Sequence, residues 1–600
     1  MFKLLKYLNG KEWAMIALST VFICLAVWMD IETPAYMSDI TKLLQEKGTT
    51  TADIMEPGWK MLGLSLGSFI MAVCVGFLAA RTAASFTTRL RSEIFNQVMD
   101  YSDAEIKQFS VPSLLTRTTN DLTQLQILIT MGMQVVTRGP IMAIWALTKI
   151  WGKSSEWTWS VAIAVAVVML LLATLLIFAF PRLQKVQKYT DGLNATMREI
   201  LSGIRVVRAY NAEDYQDAKF SEQNLALTRL NLFASRLFAL MNPVMTVVSS
   251  GLTLAIYWIG AQMIDNIAIK MTSRAAAMTS VQDRITVFSD MVVFSSYAMQ
   301  VVMGFMMMVA IFIILPRALV SAGRINEVLS LEPSIIFKKT STEKLAEKGQ
   351  VEYRNVTFKY AQESEAVVEN ISFKASAGQT IAFIGSTGSG KTSLAKLLPR
   401  FYDVTSGQIL VDGIDIKDYS HEELNNKVGY IPQKAVLFSG TIRSNMTFGE
   451  SGQKQPDDQA IWDALELAQA KDFVQAKEDG LETEVAQGGT NFSGGQRQRL
   501  AIARALARKP EMLIFDDSFS ALDYKTDRIL RQTLNEKTGQ MTKLIVAQRI
   551  STIMDADQIL VLDQGQVVGQ GTHKELLANN SVYQEIAYSQ LSKEELEREN

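Results

Sequence analysis

Residues 380–392 read Thr-Ile-Ala-Phe-Ile-Gly-Ser-Thr-Gly-Ser-Gly-Lys-Thr. The run from Thr380 to Ile384 predicts a buried strand. It leads directly into Gly385, Ser386, Thr387, Gly388, Ser389, Gly390, Lys391 and Thr392. That spacing is a phosphate loop, in its expected place between a strand and a helix. Its glycines let successive backbone N–H groups wrap a phosphate, and the helix N-terminus adds partial positive charge. Lys391 brings a cation to the β- and γ-phosphates, and the Thr392 hydroxyl is a ligand for Mg²⁺. Downstream, Met512 to Phe515 is an apolar strand ending in Asp516, a carboxylate suited to the Mg²⁺ shell. Between them, Asn491-Phe492-Ser493-Gly494-Gly495-Gln496 forms a second anion-binding nest before a helix. One loop already cradles the nucleotide, so the second nest points to a nucleotide clamped between two chains.

The elements that position these groups occupy the second half of the chain. Val351, Tyr353, Val356, Phe358 and Tyr360 alternate, which predicts antiparallel strands. Residues 349–600 therefore read as an α/β nucleotide-binding domain, and the polar, charged stretch 326–348 as a linker. At 600 residues, several domains are expected. With 48% hydrophobic and 20% charged residues, the chain is not a disordered one. A net charge of −2 gives no nucleic-acid footprint, so none is expected as a partner. Two cysteines, Cys24 and Cys74, exclude a disulfide framework and a thiolate zinc cluster.

The first half, 1–325, reads as an all-α membrane domain. A bilayer core needs about 20 apolar residues in a helix. Charge-free runs cover Trp13–Met29, Met61–Ala80, Trp157–Phe180, Leu237–Ile264 and Met291–Pro316. With a weaker run, the expected spans are about 13–33, 58–80, 134–153, 157–180, 237–264 and 288–316. The third is weak because it holds Arg138, Pro140 and Lys149; Arg138 is expected to snorkel to the interface. The first run is longer than a signal h-region and lacks a cleavage pattern, so it reads as a span. Lysines and arginines concentrate in segments 81–133 and 182–236, including Arg89, Arg91, Lys107, Arg198 and Arg208. This places both termini and the nucleotide domain in the cytoplasm of a multi-pass cell-membrane protein. The helical pattern breaks near Phe109–Pro112 and near Ala209–Glu213, the expected contact points with the cytoplasmic domain. Span six carries Met299, Met303 and Met306, flexible thioethers suited to varied apolar ligands in a substrate cavity. The long segment 265–286 reads as an extracytoplasmic cap.

Six spans followed by these motifs resemble a half-transporter of the ATP-binding cassette exporter family, over essentially the whole chain. The resemblance implies ATP and Mg²⁺ as cofactors and a second half-transporter as partner. It implies that Tyr360 stacks on adenine, and that Gln433, in Tyr430-Ile431-Pro432-Gln433, senses Mg²⁺. Phe492, Ser493, Gly494, Gly495 and Gln496 resemble the signature that serves the opposite site. Asp523, in Ser520-Ala521-Leu522-Asp523, resembles the loop linking the two sites. The tips near Phe109 and Tyr210 resemble the coupling helices.

Two departures from the family touch hydrolysis. The usual general-base glutamate after the acidic strand is Asp517, one methylene shorter. The usual γ-phosphate histidine is Gln548, and neither His421 nor His573 falls there. Glutamine cannot carry a proton. Ala486-Gln487 replaces the usual Gly-Glu near the signature. The departures at Asp517 and Gln548 predict a site that binds ATP but turns it over weakly, and the one at Ala486-Gln487 predicts an asymmetric coupling path. The expected whole is one subunit of a heterodimeric exporter of amphipathic, drug-like compounds, resembling the degenerate-site subunit of heterodimeric bacterial multidrug exporters. Its partner would carry Glu and His at the two deviant positions. A homodimeric lipid flippase and a nucleotide-gated regulatory membrane protein are the alternatives.

Overall fold

A computed structural model describes residues 2–45, 49–151, 154–178, 180–269, 274–338, 348–361, 363–449 and 454–591. It divides into two units. One comprises Met1–Met99 and Val111–Leu331, the other Asp100–Ser110 and Glu332–Asn600.

The first unit is helical. Its elements are α1 (Gly10–Leu43), α2 (Thr51–Met99), and, after α3 (Asp103–Phe109) of the other unit, α4 (Val111–Thr118), α5 (Asn120–Met131), α6 (Arg138–Ile150), α7 (Ser155–Phe178), α8 (Phe180–Ser202), α9 (Ile204–Ala209), α10 (Glu213–Ile269) and α11 (Arg274–Ser330). Six helical stretches are long and apolar enough to cross a membrane. Their core gathers Val27, Ile31, Val161, Ile256, Phe294 and Val301, all nearly or fully buried. Trp157 is buried among them and donates its indole N–H to the Ile256 carbonyl at 3.2 Å, so its polar atom is satisfied. Helices α6 and α11 cross at Gly139 and Gly304. A Cβ on Gly139 would lie 2.9 Å from the Gly304 carbonyl oxygen, so only glycine permits that approach.

Three expectations are corrected here. Arg138 does not snorkel alone: it pairs with Asp30 of α1 at 2.5 Å, and Lys149 pairs with Glu32 at 2.6 Å. The third span tolerates charge because the first span neutralises it. It is also preceded by a π-turn, Gly132–Val136, that joins α5 to α6. Within segment 265–286, residues 265–269 and 274–286 are helical rather than loop. Helices α10 and α11 run through most of it, as an Ala-rich stretch free of Gly and Pro favours, while 270–273 lie outside the described residues. Finally, α11 continues to Ser330, five residues into the expected linker, because Ile325 and Val328 are fully buried. Residues 339–347 of that linker lie outside the described residues.

The second unit is an α/β domain. A sheet of β1 (Val351–Phe358), β2 (Val368–Ala375), β4 (Ser406–Val411) and β5 (Ile414–Asp415) has the order β2-β1-β4-β5 and is antiparallel. Val351, Tyr353, Val356 and Phe358 are all buried. The step of three between Tyr353 and Val356 is a bulge, with Asn355 at φ 48°. The central sheet has the order β12-β11-β3-β10-β9-β6. Its strands are β3 (Thr380–Gly385), β6 (Val428–Ile431), β9 (Met512–Asp516), β10 (Thr542–Val546), β11 (Gln558–Asp563) and the antiparallel edge β12 (Gln566–Gly571). The pairs among the other five strands are parallel, and a separate short antiparallel pair joins β7 (Gly440–Thr441) to β8 (Glu484–Val485). Strands β9 and β10 are buried along their whole length, which is why they read as continuous apolar runs. Helix α12 (Lys391–Leu397) follows β3, and α13 (Gly494–Ala507) precedes β9.

The helix α3 belongs here although membrane-unit sequence flanks it on both sides. Ser102 and Glu105 close a capping box at its start. Ala104 packs on the core formed by the antiparallel sheet, and Ser110, at φ 61°, ends the helix. This is the first of the two expected contact points. The second, near Tyr210, lies in the membrane unit with Tyr210 and Tyr215 exposed.

Candidate functional site

The phosphate loop sits at the C-terminal end of β3, where open parallel sheets place their ligands. Gly390 N-caps α12 at φ 93°, and a Cβ there would meet the Val367 carbonyl oxygen at 2.6 Å. Only glycine fits this turn. Lys391 is buried and folds over its own loop, donating to the carbonyls of Gly385 at 2.9 Å and Ser386 at 2.7 Å and to Ser389 Oγ at 3.2 Å. Burial pushes its ammonium pKa down, and the nearby Asp517 charge opposes that. Thr387 and Gly388 lie on the same loop, between these groups.

Strand register delivers the carboxylates. Pairing of β9 with β10 sets Asp516 opposite Val546, so the carboxylates emerge at the end of the sheet beside the loop. Asp516 Oδ1 accepts from Thr392 Oγ1 at 2.8 Å, and Oδ2 accepts from the Tyr430 hydroxyl at 2.8 Å. A hydroxyl and a carboxylate this close form a hard-oxygen set that fits Mg²⁺. Burial, and then the Asp516 charge, push the Tyr430 hydroxyl pKa upward.

Asp517 turns the chain sharply, at φ 50°, with its N–H donated to the Val546 carbonyl at 3.0 Å. Its carbonyl accepts from Ser520 Oγ at 2.8 Å. Its Oδ2 accepts from Gln433 Nε2 at 3.0 Å and from Gln548 Nε2 at 2.9 Å. Burial raises the carboxyl pKa, partly offset by the Gln433 hydrogen bond. The structure thus brings Gln433, Asp517 and Gln548 onto one atom.

Tyr360 is half-exposed and its hydroxyl lies 2.8 Å from Ser393 Oγ on α12. Its ring meets Phe358 and Tyr402 edge-on, at 4.8 and 5.2 Å between centroids. Lys107 of α3 stands 4.9 Å from the Tyr360 centroid and donates to the Tyr402 hydroxyl at 2.8 Å. Sequence reading missed Lys107, Ser393, Tyr402 and the role of Tyr430. Lys107 had no local signal at all, because it lies over 250 residues from its aromatic partners in the chain.

Ser493 N-caps α13, with Gln496 N–H donated to its Oγ at 3.2 Å and Gln496 Oε1 accepting from Ser493 N–H at 3.0 Å. Ser493 and Gly494 are exposed and Gly495 half-exposed. Phe492 is instead buried in this chain's own core, so its side chain has no surface to offer a second chain. Asp523 caps the helix Tyr524–Lys537 through Thr526 N–H at 3.0 Å, which holds its carboxyl below the usual carboxylate range. In the membrane unit, Met299 is half-buried, Met303 half-exposed, and Met306 packs against the bundle core. Each histidine has a partner of its own: His421 packs edge-on against Phe337, and His573 Nδ1 lies 2.6 Å from the Tyr583 hydroxyl.

Residues 16–282 match the ABC transporter transmembrane region, and 368–520 match the ABC transporter family. An uncharacterized ABC transporter ATP-binding protein of Mycobacterium tuberculosis is 38% identical over 92% of this chain and 93% of its own length. The chain belongs to the ABC transporter family. Another uncharacterized ABC transporter ATP-binding protein, YfiB of Bacillus subtilis, is 33% identical over 90% of each chain. An ATP-dependent lipid A-core flippase of Aliivibrio fischeri is 30% identical over 92% of each. A solved bacterial Atm1-family ABC exporter with ATP bound shares the fold, with a TM-score of 0.73 and 22% identity, covering 95% of this chain and 98% of that one. This ABC transporter is thus a multi-pass membrane protein with an ATP-binding transport ATPase domain.

Proposed function

We propose that this ABC transporter is one half of a heterodimeric exporter of amphipathic, drug-like compounds, and that its own ATP site hydrolyses weakly. The observation that carries the reading is Asp517 Oδ2, held by the neutral amides of Gln433 and Gln548. A general base must present a free lone pair to the attacking water. Here one oxygen is engaged twice, and the short side chain holds it back at the sheet end. Binding groups show no such departure: Lys391, Thr392 and Asp516 are adjacent, and Thr392 with Asp516 would hold Mg²⁺, whose charge offsets that of the phosphates.

In this mechanism ATP joins this chain's phosphate loop to the partner's signature, while Ser493 to Gly495 serve the partner's nucleotide. Closure of the paired ATPase domains switches the membrane halves outward, and hydrolysis at the partner's site resets them. The exposed Tyr210 and Tyr215 supply a contact tip for the partner's ATPase domain. The methionines of α11 supply an adaptable cavity wall.

The 30% identity to a lipid A-core flippase favours a second reading, a homodimer moving a lipid. ATPase measurement on the chain alone, and on the chain with a second half-transporter bearing Glu and His, separates the two. Strong hydrolysis by the chain alone, abolished by Asp517→Asn, would establish the homodimer and overturn the weak-site reading.

A further inference from the structure

An apolar cavity of about 300 Å³ opens in the membrane unit beneath the N-terminal helical turn Phe2–Tyr7. Leu4, Leu8, Phe86, Leu128, Met133 and Leu315 are among its lining residues, and no lining residue is polar or charged. Its volume equals roughly ten water-sized groups of ~30 Å³, enough for a similar number of chain methylenes. Two features of the backbone keep it open. The π-turn Gly132–Val136 widens the helix there, and a Cβ on Gly132 would meet nothing within 4 Å. The roof is pinned: Arg89 Nη1 donates to the Tyr7 carbonyl at 2.7 Å and to Glu12 Oε2 at 3.0 Å, and Ser85 donates to Glu12 Oε1 at 2.7 Å.

Around this roof the charge is positive. Lys3, Lys6 and Lys11 are exposed, and the one nearby acid on this stretch, Glu12, is buried against Arg89. The turn precedes the first of the six spans, and the loop charge pattern assigns it to the cytoplasmic leaflet, which carries anionic lipid. We propose that the cavity binds an acyl chain of an anionic phospholipid of the cytoplasmic leaflet, with the three lysines receiving its phosphate. Lys3 and Lys6 share the turn Phe2–Tyr7 with the lining residues Leu4 and Leu5, so surface cations and apolar volume belong to one short segment. The site is separate from the nucleotide groups and does not depend on whether the transporter pairs with itself or with another chain.

The test uses the full chain in phosphatidylcholine vesicles doped with phosphatidylglycerol carrying a photoactivatable diazirine in its tail. Matched phosphatidylcholine carrying the same tail is the control. Peptide mapping should find label in residues 2–16 and 125–136, more from phosphatidylglycerol than from the control. Lys3→Gln and Lys6→Gln should each lower the phosphatidylglycerol signal roughly five-fold, as about 1 kcal/mol per cation implies, and leave the control unchanged. Gly132 has helical dihedrals, φ −60° and ψ −47°, so Gly132→Leu fills the cavity without backbone strain and should remove label from both lipids. The Lys→Gln changes are at exposed positions and test the headgroup without touching the fold. Equal labelling by the two lipids, labelling unaffected by Gly132→Leu, or no label in these segments would each overturn the proposal.

Discussion

Gln548 Nε2 donates to Asp517 Oδ2 at 2.9 Å, beside a second donation to the same oxygen from Gln433 at 3.0 Å. A water molecule approaching that oxygen must displace an amide. The family's longer carboxylate would reach past this pair, and a histidine at 548 would replace a neutral amide with a ring that can carry a proton. The double change Asp517→Glu and Gln548→His should therefore restore hydrolysis at this site. Loss of one transition-state-stabilising group costs about 10²–10³ in rate. ATPase should return by a comparable factor when the partner's own base is mutated to glutamine, and either single change should do less. Full ATPase from wild-type Asp517 in that background would sink the weak-site reading.

Asp517 also predicts a pH effect on stability. Its folded pKa is raised by burial above 3.8. Its contribution is therefore fully present below the unfolded pKa and is lost as pH rises through the folded value. Asp517→Asn removes the buried charge, so the ATPase domain should melt higher than wild type at pH 7, with the gap closing toward pH 4. Thermal melts across that range, in the full chain, provide the check. A gap that widens on acidification has the wrong sign.

Lys391→Ala should weaken nucleotide binding at this chain's site by about 10–100-fold, the span of a charged hydrogen bond worth ~1.5–3 kcal/mol. Transport should fall but persist if the partner's site carries turnover. Titration with labelled ATP decides it: unchanged stoichiometry and affinity contradict the assignment.

Ser493→Phe should do the opposite. It removes a helix cap worth ~1 kcal/mol, yet the residue is exposed and the fold should survive. Binding at this chain's phosphate loop should stay, while ATPase of the assembled complex falls further than in Lys391→Ala. Greater loss from Lys391→Ala would reverse the asymmetry.

In the membrane unit, Arg138→Leu strips half-buried Asp30 of its cation, leaving the Ser68 hydroxyl donating to it at 2.6 Å. Breaking such a pair costs far more than replacing both members. The single change should lower the melting temperature clearly, and Asp30→Leu added to it should recover much of the loss. A double variant no better than the single one would show that the pair contributes little.

The nucleotide groups were legible because phosphate chemistry needs a contiguous loop. Gly385 to Thr392 announce themselves within eight residues. Asp516 was legible because the strand before it is buried on both faces. Charge pairing across helices was not: Arg138 and Asp30 are far apart in the chain, and neither residue's own neighbours reveal the other. The bulge at Asn355 left only an odd spacing between Tyr353 and Val356. Phe492 looked like part of a surface motif, and only the packing shows it to be core. The helical course of 265–269 and 274–286 was obscured because the segment's length alone suggested a loop.

The placement of α3 has a consequence for how this protein is made. Its seat beside Tyr360 and Tyr402 does not exist until the chain has grown by some 300 residues more. At about 5–20 residues per second, that is roughly 15–60 s of synthesis. Throughout this interval the capped segment has nothing to pack its docking face against, and seven residues are too few to hold a helix alone. A fragment that begins at 349 would meet the converse problem, a seat with nothing to fill it, with Tyr402 stripped of its lysine. The seven-residue helix is a peg set early for a socket that arrives late: it is translated before most of the membrane spans and seated only once the ATPase domain follows.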